Sequence, residues 1–174
     1  MGAQPMSYTD DIIRDLIICP KRVTDPPARD FKEENRHRRK DMRLQSADDR
    51  ARTFDVFIRQ SLEFAEDFSL GLVYLSPEGK RMTLARFNGQ HDQSNDPLDL
   101  QKMHFQYHVH TATATNLNDG RYDKHPAASA TRYASFQEAI IEFLATIRLD
   151  QEDIAKHFPG CEDLPLFRDH GGTA

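Results

Sequence analysis

The sequence predicts an α+β fold: a mostly antiparallel sheet of about five strands, a C-terminal helix packed on one face, and a short N-terminal helix. Three observations carry this. Phe54, Val56 and Ile58 alternate with Asp55, Phe57 and Arg59, the period-two signature of a strand with one buried face. The apolar run Phe68–Leu75 is joined to Arg81–Phe87 through Ser76-Pro77-Glu78-Gly79, the punctuation of a hairpin. Phe136, Ala139, Ile140, Phe143, Leu144 and Ile147 recur at helical spacing behind Ser135 and Glu138, a capping box.

Element by element, residues 1–7 read as a disordered start. Thr9 is a good N-cap, and Asp10 and Asp11 suit the positive end of the helix that follows. Ile12, Ile13, Leu16 and Ile17 form its apolar stripe, and Pro20 ends it. The prolines at 26 and 27 mark 24–29 as a loop, and the charged residues 30–39 read as a solvated helix or an extended arm. Met42 and Leu44 alternate with Asp41, Arg43 and Gln45, suggesting a strand, and a second strand is expected over 53–60. After the hairpin, Asn88-Gly89 supplies turn chemistry and residues 91–100 form a polar loop. Residues 103–110 give the cleanest alternation: Met103, Phe105, Tyr107 and Val109 against His104, Gln106, His108 and His110. A turn is expected at Asn118-Asp119-Gly120, and a short helix after Asp150. The organisation is thus one domain over 8–150, with a basic segment at 30–52, followed by an acidic tail over 151–174.

At 174 residues the chain can bury one core, and its mean hydropathy of -0.72 suits a sheet with one wet face. No apolar run approaches the ~20 residues that cross a bilayer. The start lacks the basic end and apolar stretch of a secretion signal, so a cytoplasmic location and no membrane partner are expected. Cys19 and Cys161 make no CxxC pair, which argues against a disulfide framework or thiolate zinc site. Net charge is -5, but residues 36–52 carry a local excess of four positive charges and residues 150–169 an excess of four negative ones. The basic run reads as a solvated segment or as an arm that tracks a nucleic-acid backbone.

His108 and His110, at i and i+2 on a strand, share one face at roughly 7 Å spacing, which suits two acid/base groups around a phosphate. His91 follows the Asn88-Gly89 turn, and Arg86 and Asn88 end the neighbouring strand, so Arg86, Asn88, His91, His108 and His110 form the candidate catalytic set. Arg38, Arg39, Lys40, Arg43 and Arg59 are the candidate nucleic-acid contacts. If Phe105, Tyr107 and Val109 face the C-terminal helix, the histidines face away from it. No acid lies close to the pair and no third ligand has a fixed spacing, so neither a metal nor another cofactor is expected. There is no P-loop, dinucleotide-binding glycine turn, HExxH or GxSxG.

The order LARFNGQH, then Asn95, HFQYHVHTAT and ATRYASFQEAIIEFL resembles a family of uncharacterised bacterial proteins similar to the TumE-like toxins of toxin–antitoxin pairs. The resemblance covers roughly residues 53–148 and touches Arg86, Asn88, His91, His108 and His110. The sequence departs from the pattern in its basic segment before residue 53 and in the insertion between His91 and His104. The resemblance implies a toxin–antitoxin or mobile-element locus, with RNA and a cognate antitoxin as partners. Two functions are then expected in different classes: a toxin-like, RNA-cleaving enzyme using the His-x-His site, or a non-catalytic protein- or nucleic-acid-binding module.

Overall fold

A computed structural model of the chain describes residues 7–91, 98 and 102–161, apart from the His104 side chain. The start at residues 1–6, most of the 91–100 loop and the tail beyond Cys161 lie outside the described residues.

The architecture is α+β with a mostly antiparallel sheet, but with eight strands among the described residues rather than about five. Helix α1 (Asp10–Ile18) begins where Thr9 accepts a hydrogen bond from the Ile12 N–H, and it buries Ile13, Leu16 and Ile17. Strands β1 (Lys21–Asp25), β2 (Lys32–Glu34), β3 (His37–Ser46), β4 (Thr53–Ser61), β5 (Phe68–Leu75) and β6 (Arg81–Asn88) follow. After them come β7 (His108–Thr111), α2 (Ala114–Asn118), β8 (Ala127–Ser129), α3 (Phe136–Thr146) and α4 (Gln151–His157). The order across the sheet is β1-β3-β4-β5-β6-β7-β8, with β2 also paired to β3.

The extra strands β1, β2 and β8 are short and lie outside the central run of long strands. The β2 side chains are all exposed, so no apolar alternation announces it. The basic segment is therefore not an arm. Residues 32–46 form a hairpin whose turn places Asn35 and Arg36 at φ 50° and 64°, the left-handed region that two-residue hairpin turns require. An arginine there hides the turn from sequence.

The expected strand over 103–110 is also corrected. Met103–Phe105 is a turn of 3-10 helix, and the strand begins only at His108. The reason lies in its neighbour: β6 ends at Asn88, and Gly89 bonds back to the Phe68 carbonyl, so residues before 108 lose their β6 partner, although the Tyr107 carbonyl still accepts from the Ala130 N–H. The His104 backbone lies in that turn and not on the His108–His110 strand.

One sheet face carries Met42, Leu44, Phe54, Val56, Ile58, Phe68, Leu70, Leu72 and Met82, all buried in a single core with residues of α1 and α3. Ser135 caps α3 by accepting from the Glu138 N–H, and the Glu138 carboxylate accepts from the Ala134 N–H. Phe143 is fully buried with its ring edge-on to Phe87, and Phe136 packs on Phe68. Lys21 joins the helix ends: its buried ammonium donates to the Ile17, Cys19 and Ile147 carbonyls, satisfying groups the helices leave open. The packed body continues past residue 150, since Ile154 is fully buried and Asp153 accepts from the Val23 N–H. Among the described residues no helix is long and apolar enough to cross a membrane.

A bulge sets up the opposite face. Leu72 pairs with Ala85 while Val73 pairs with Thr83, leaving Leu84 as the extra residue. Met82 therefore points into the core, yet Arg86 and Asn88, of the same parity, point away from it.

Candidate functional site

The open sheet face can be read as rows of side chains across the strands. One row runs Arg39, Arg59, Ser69, Asn88, His108, Ser129; the next runs Asp41, Phe57, Gly71, Arg86, His110, Ala127. Arg86 is thus the direct cross-strand partner of His110, and Asn88 that of His108. His91 completes the group, its ring edge-on to His108 with centroids 5.1 Å apart. His108 and His110 are likewise 5.1 Å apart, so His91 and His110 flank His108 and are separated by no more than about 10 Å. The five candidate residues share one place, on the face away from α3.

Their roles differ. His108 is 2% exposed and its ring is saturated: Nδ1 donates to the Gln106 carbonyl at 2.7 Å, and Nε2 accepts from the Asn88 amide at 3.1 Å. Asn88 is oriented in turn, because its Oδ1 accepts from Ser69 at 2.8 Å. This chain of hydrogen bonds suits a neutral His108, and burial, opposed by the bond to the Gln106 carbonyl and helped by the nearby His91, His110 and Arg86, holds its pKa below the ordinary histidine value.

His110 is half-buried. Its Nδ1 donates to the His125 carbonyl at 2.8 Å, which leaves the Nε2 lone pair for the open face. Its pKa is also lowered, first by burial and then by Arg86, His125 and His91, against the opposing pull of the His125 carbonyl. His125 is itself anchored, with Nε2 donating to the Thr83 carbonyl at 2.7 Å. His91 is exposed and stands 3.3 Å from an Asp67 oxygen through Nδ1, so a carboxylate is at hand when its ring is protonated.

Arg86 differs from its neighbours on the face. Arg39 is paired with Glu34, Arg59 with Asp41, and Arg43 and Arg81 with Asp55. Among the described residues Arg86 has no carboxylate, and its buried Nε has no hydrogen-bond partner. An anion that entered here would meet a free guanidinium beside a neutral imidazole.

The remaining predicted contacts separate. Arg38 and Lys40 lie on the core side, where Arg38 donates to Gln60 and stacks on Phe31, and Lys40 is buried near Phe31 and Phe158. Their charges do not reach the open face. Arg39, Arg43 and Arg59 are on it, but as members of ion pairs. Sequence reasoning missed Asp67, Ser69, His125 and Tyr133. Tyr133 donates to the Asn88 and His108 carbonyls at 2.9 Å each, pinning the two site strands from behind. Its only signal was its place in the aromatic segment before α3. Among the described residues no three His, Cys, Asp or Glu side chains are placed to hold a metal ion.

No protein-family model matches the chain, and no curated protein or solved structure is significantly similar to it.

Proposed function

We propose that the open face is the site of a toxin-like protein that cleaves RNA by acid/base chemistry. The observation that carries this reading is Arg86: a half-buried guanidinium that has no carboxylate among the described residues, set against His110 on a face where Arg39, Arg43, Arg59 and Arg81 are paired. In this reading His110 Nε2 removes the proton of a ribose 2′-hydroxyl, and the 2′-oxygen attacks phosphorus. Arg86 stabilises the charge that builds on the non-bridging oxygens. Protonated His91, paired with Asp67, gives its proton to the departing 5′-oxygen as the P–O5′ bond breaks. The products are a 2′,3′-cyclic phosphate and a 5′-hydroxyl. His108, Asn88, Ser69 and Tyr133 position these groups without touching the substrate.

This assignment revises the pairing of His108 with His110, because a saturated, buried imidazole has no nitrogen to offer. That same saturation favours a second reading, in which the face binds an RNA or a cognate antitoxin without turning it over.

The mechanism requires the 2′-hydroxyl, which provides its test. A single-stranded RNA should be cut to cyclic-phosphate ends, and replacing the ribose at the cleaved linkage by 2′-deoxyribose should stop the cut there. Equal cleavage of the deoxy linkage would reject this chemistry.

A further inference from the structure

Beside Arg86, across Gly71, the open face holds a pocket of about 450 Å³ whose walls include Phe57, Asp41, Asp55, Arg43, Arg59 and Arg81. Its charges are nearly balanced, so it is poorly suited to gripping phosphates. It offers instead hydrogen-bonding groups of both senses around an aromatic ring. Phe57 is half-buried and occupies the space a side chain at 71 would fill: a Cβ on Gly71 would lie 2.2 Å from Phe57 Cε1 and Cζ. Gly71 thus lets the ring lean toward Arg86, its register partner on the other side. The backbones of Phe57 and Arg86 are two strand spacings apart, ~10 Å, close enough for adjoining parts of one nucleic-acid strand to occupy both places. The Arg59 guanidinium lies 5.7 Å from the Phe57 ring centre.

The geometry points to a nucleobase subsite shaped for guanine, an inference that rests on reading the face as an RNA site. Phe57 is the stacking platform, a role any base accepts. Selectivity comes from the walls. Asp41 meets Arg59 through one oxygen, Oδ1, and Arg81 meets Asp55 through Nη1, so each retains capacity for a ligand. Guanine presents N–H donors to a carboxylate together with the O6 and N7 acceptors that arginine recognises; adenine, cytosine and uracil do not offer that combination.

The test is calorimetric titration of the full chain with guanosine, adenosine, cytidine and uridine 5′-monophosphates. Guanosine monophosphate should bind tightest. Phe57→Leu should weaken it about tenfold or more, and Asp41→Asn, at an exposed position that should not perturb folding, should level the preference among the four. Equal binding of all four nucleotides, or wild-type behaviour in both variants, overturns the subsite even where RNA is cleaved. A guanine preference that Phe57→Leu abolishes, in a protein that cleaves no RNA, upholds the subsite and rejects the cleavage reading instead.

Discussion

His108 and His110 are two residues apart on one strand, yet the fold gives them opposite tasks. His108 has both ring nitrogens committed, whereas His110 has one nitrogen held by the His125 carbonyl and the other turned to the open face. A general base must be unprotonated to act, and burial and Arg86 lower the His110 pKa from its ordinary 6.5. The acid limb of the pH–kcat/KM profile should therefore fall below pH 6.5. An acid limb above 7 would exclude His110 as the base. Linkage has the same sign for stability: the unfolded chain takes up protons that buried His108 refuses, so stability contributed by a neutral His108 is lost as pH falls below about 6.5. The side on which these histidines lie was legible in the sequence, because parity against Val109 is a local property of a strand. Their depth was not, since it depends on Asn88, Gln106 and His91, brought in by turns that alternation does not reveal.

At the scale of elements, the long alternating strands, the β5–β6 hairpin and helices α1 and α3 were readable because each announces itself in its local sequence. Helix α3 holds the sheet from the side opposite the site, and Phe143 is fully buried in that contact. Phe143→Ala should cost about 3–5 kcal/mol in chemical denaturation, because the lost contacts with Phe87 leave a cavity that neighbours fill only in part. A loss under 1 kcal/mol would show that α3 does not anchor the sheet. Elements whose cause is non-local were illegible. The strand β7 stops short of residue 107 because β6 turns away at Gly89, and β2 exists because β3 offers it an edge. The bulge at Leu84 matters most for the site. It brings Arg86 and Asn88 to the face of the histidines, and nothing in the local sequence marks it.

Across the whole molecule, a net charge of -5 and a basic segment folded into β2 and β3 leave little unpaired positive charge on the open face. Binding to single-stranded RNA should consequently show a shallow dependence on salt. Arg86→Gln should reduce the slope of log K against log salt by about 0.7, the contribution of one phosphate contact, while Arg39→Gln, which loses a partner in Glu34, should leave it unchanged. A larger effect from Arg39 would return the basic segment to the role its composition suggested. The arrangement as a whole is a helix-backed sheet whose opposite face concentrates, among the described residues, one guanidinium without a carboxylate, one imidazole with a ring nitrogen to spare and one imidazole beside a carboxylate. The most direct test of that claim is the rate of RNA cleavage by His110→Ala, compared with wild type at equal folded fraction. The account predicts a loss of a hundredfold or more, in the range of one acid/base group, with a melting temperature close to wild type. Undiminished cleavage by a folded His110→Ala protein would contradict it.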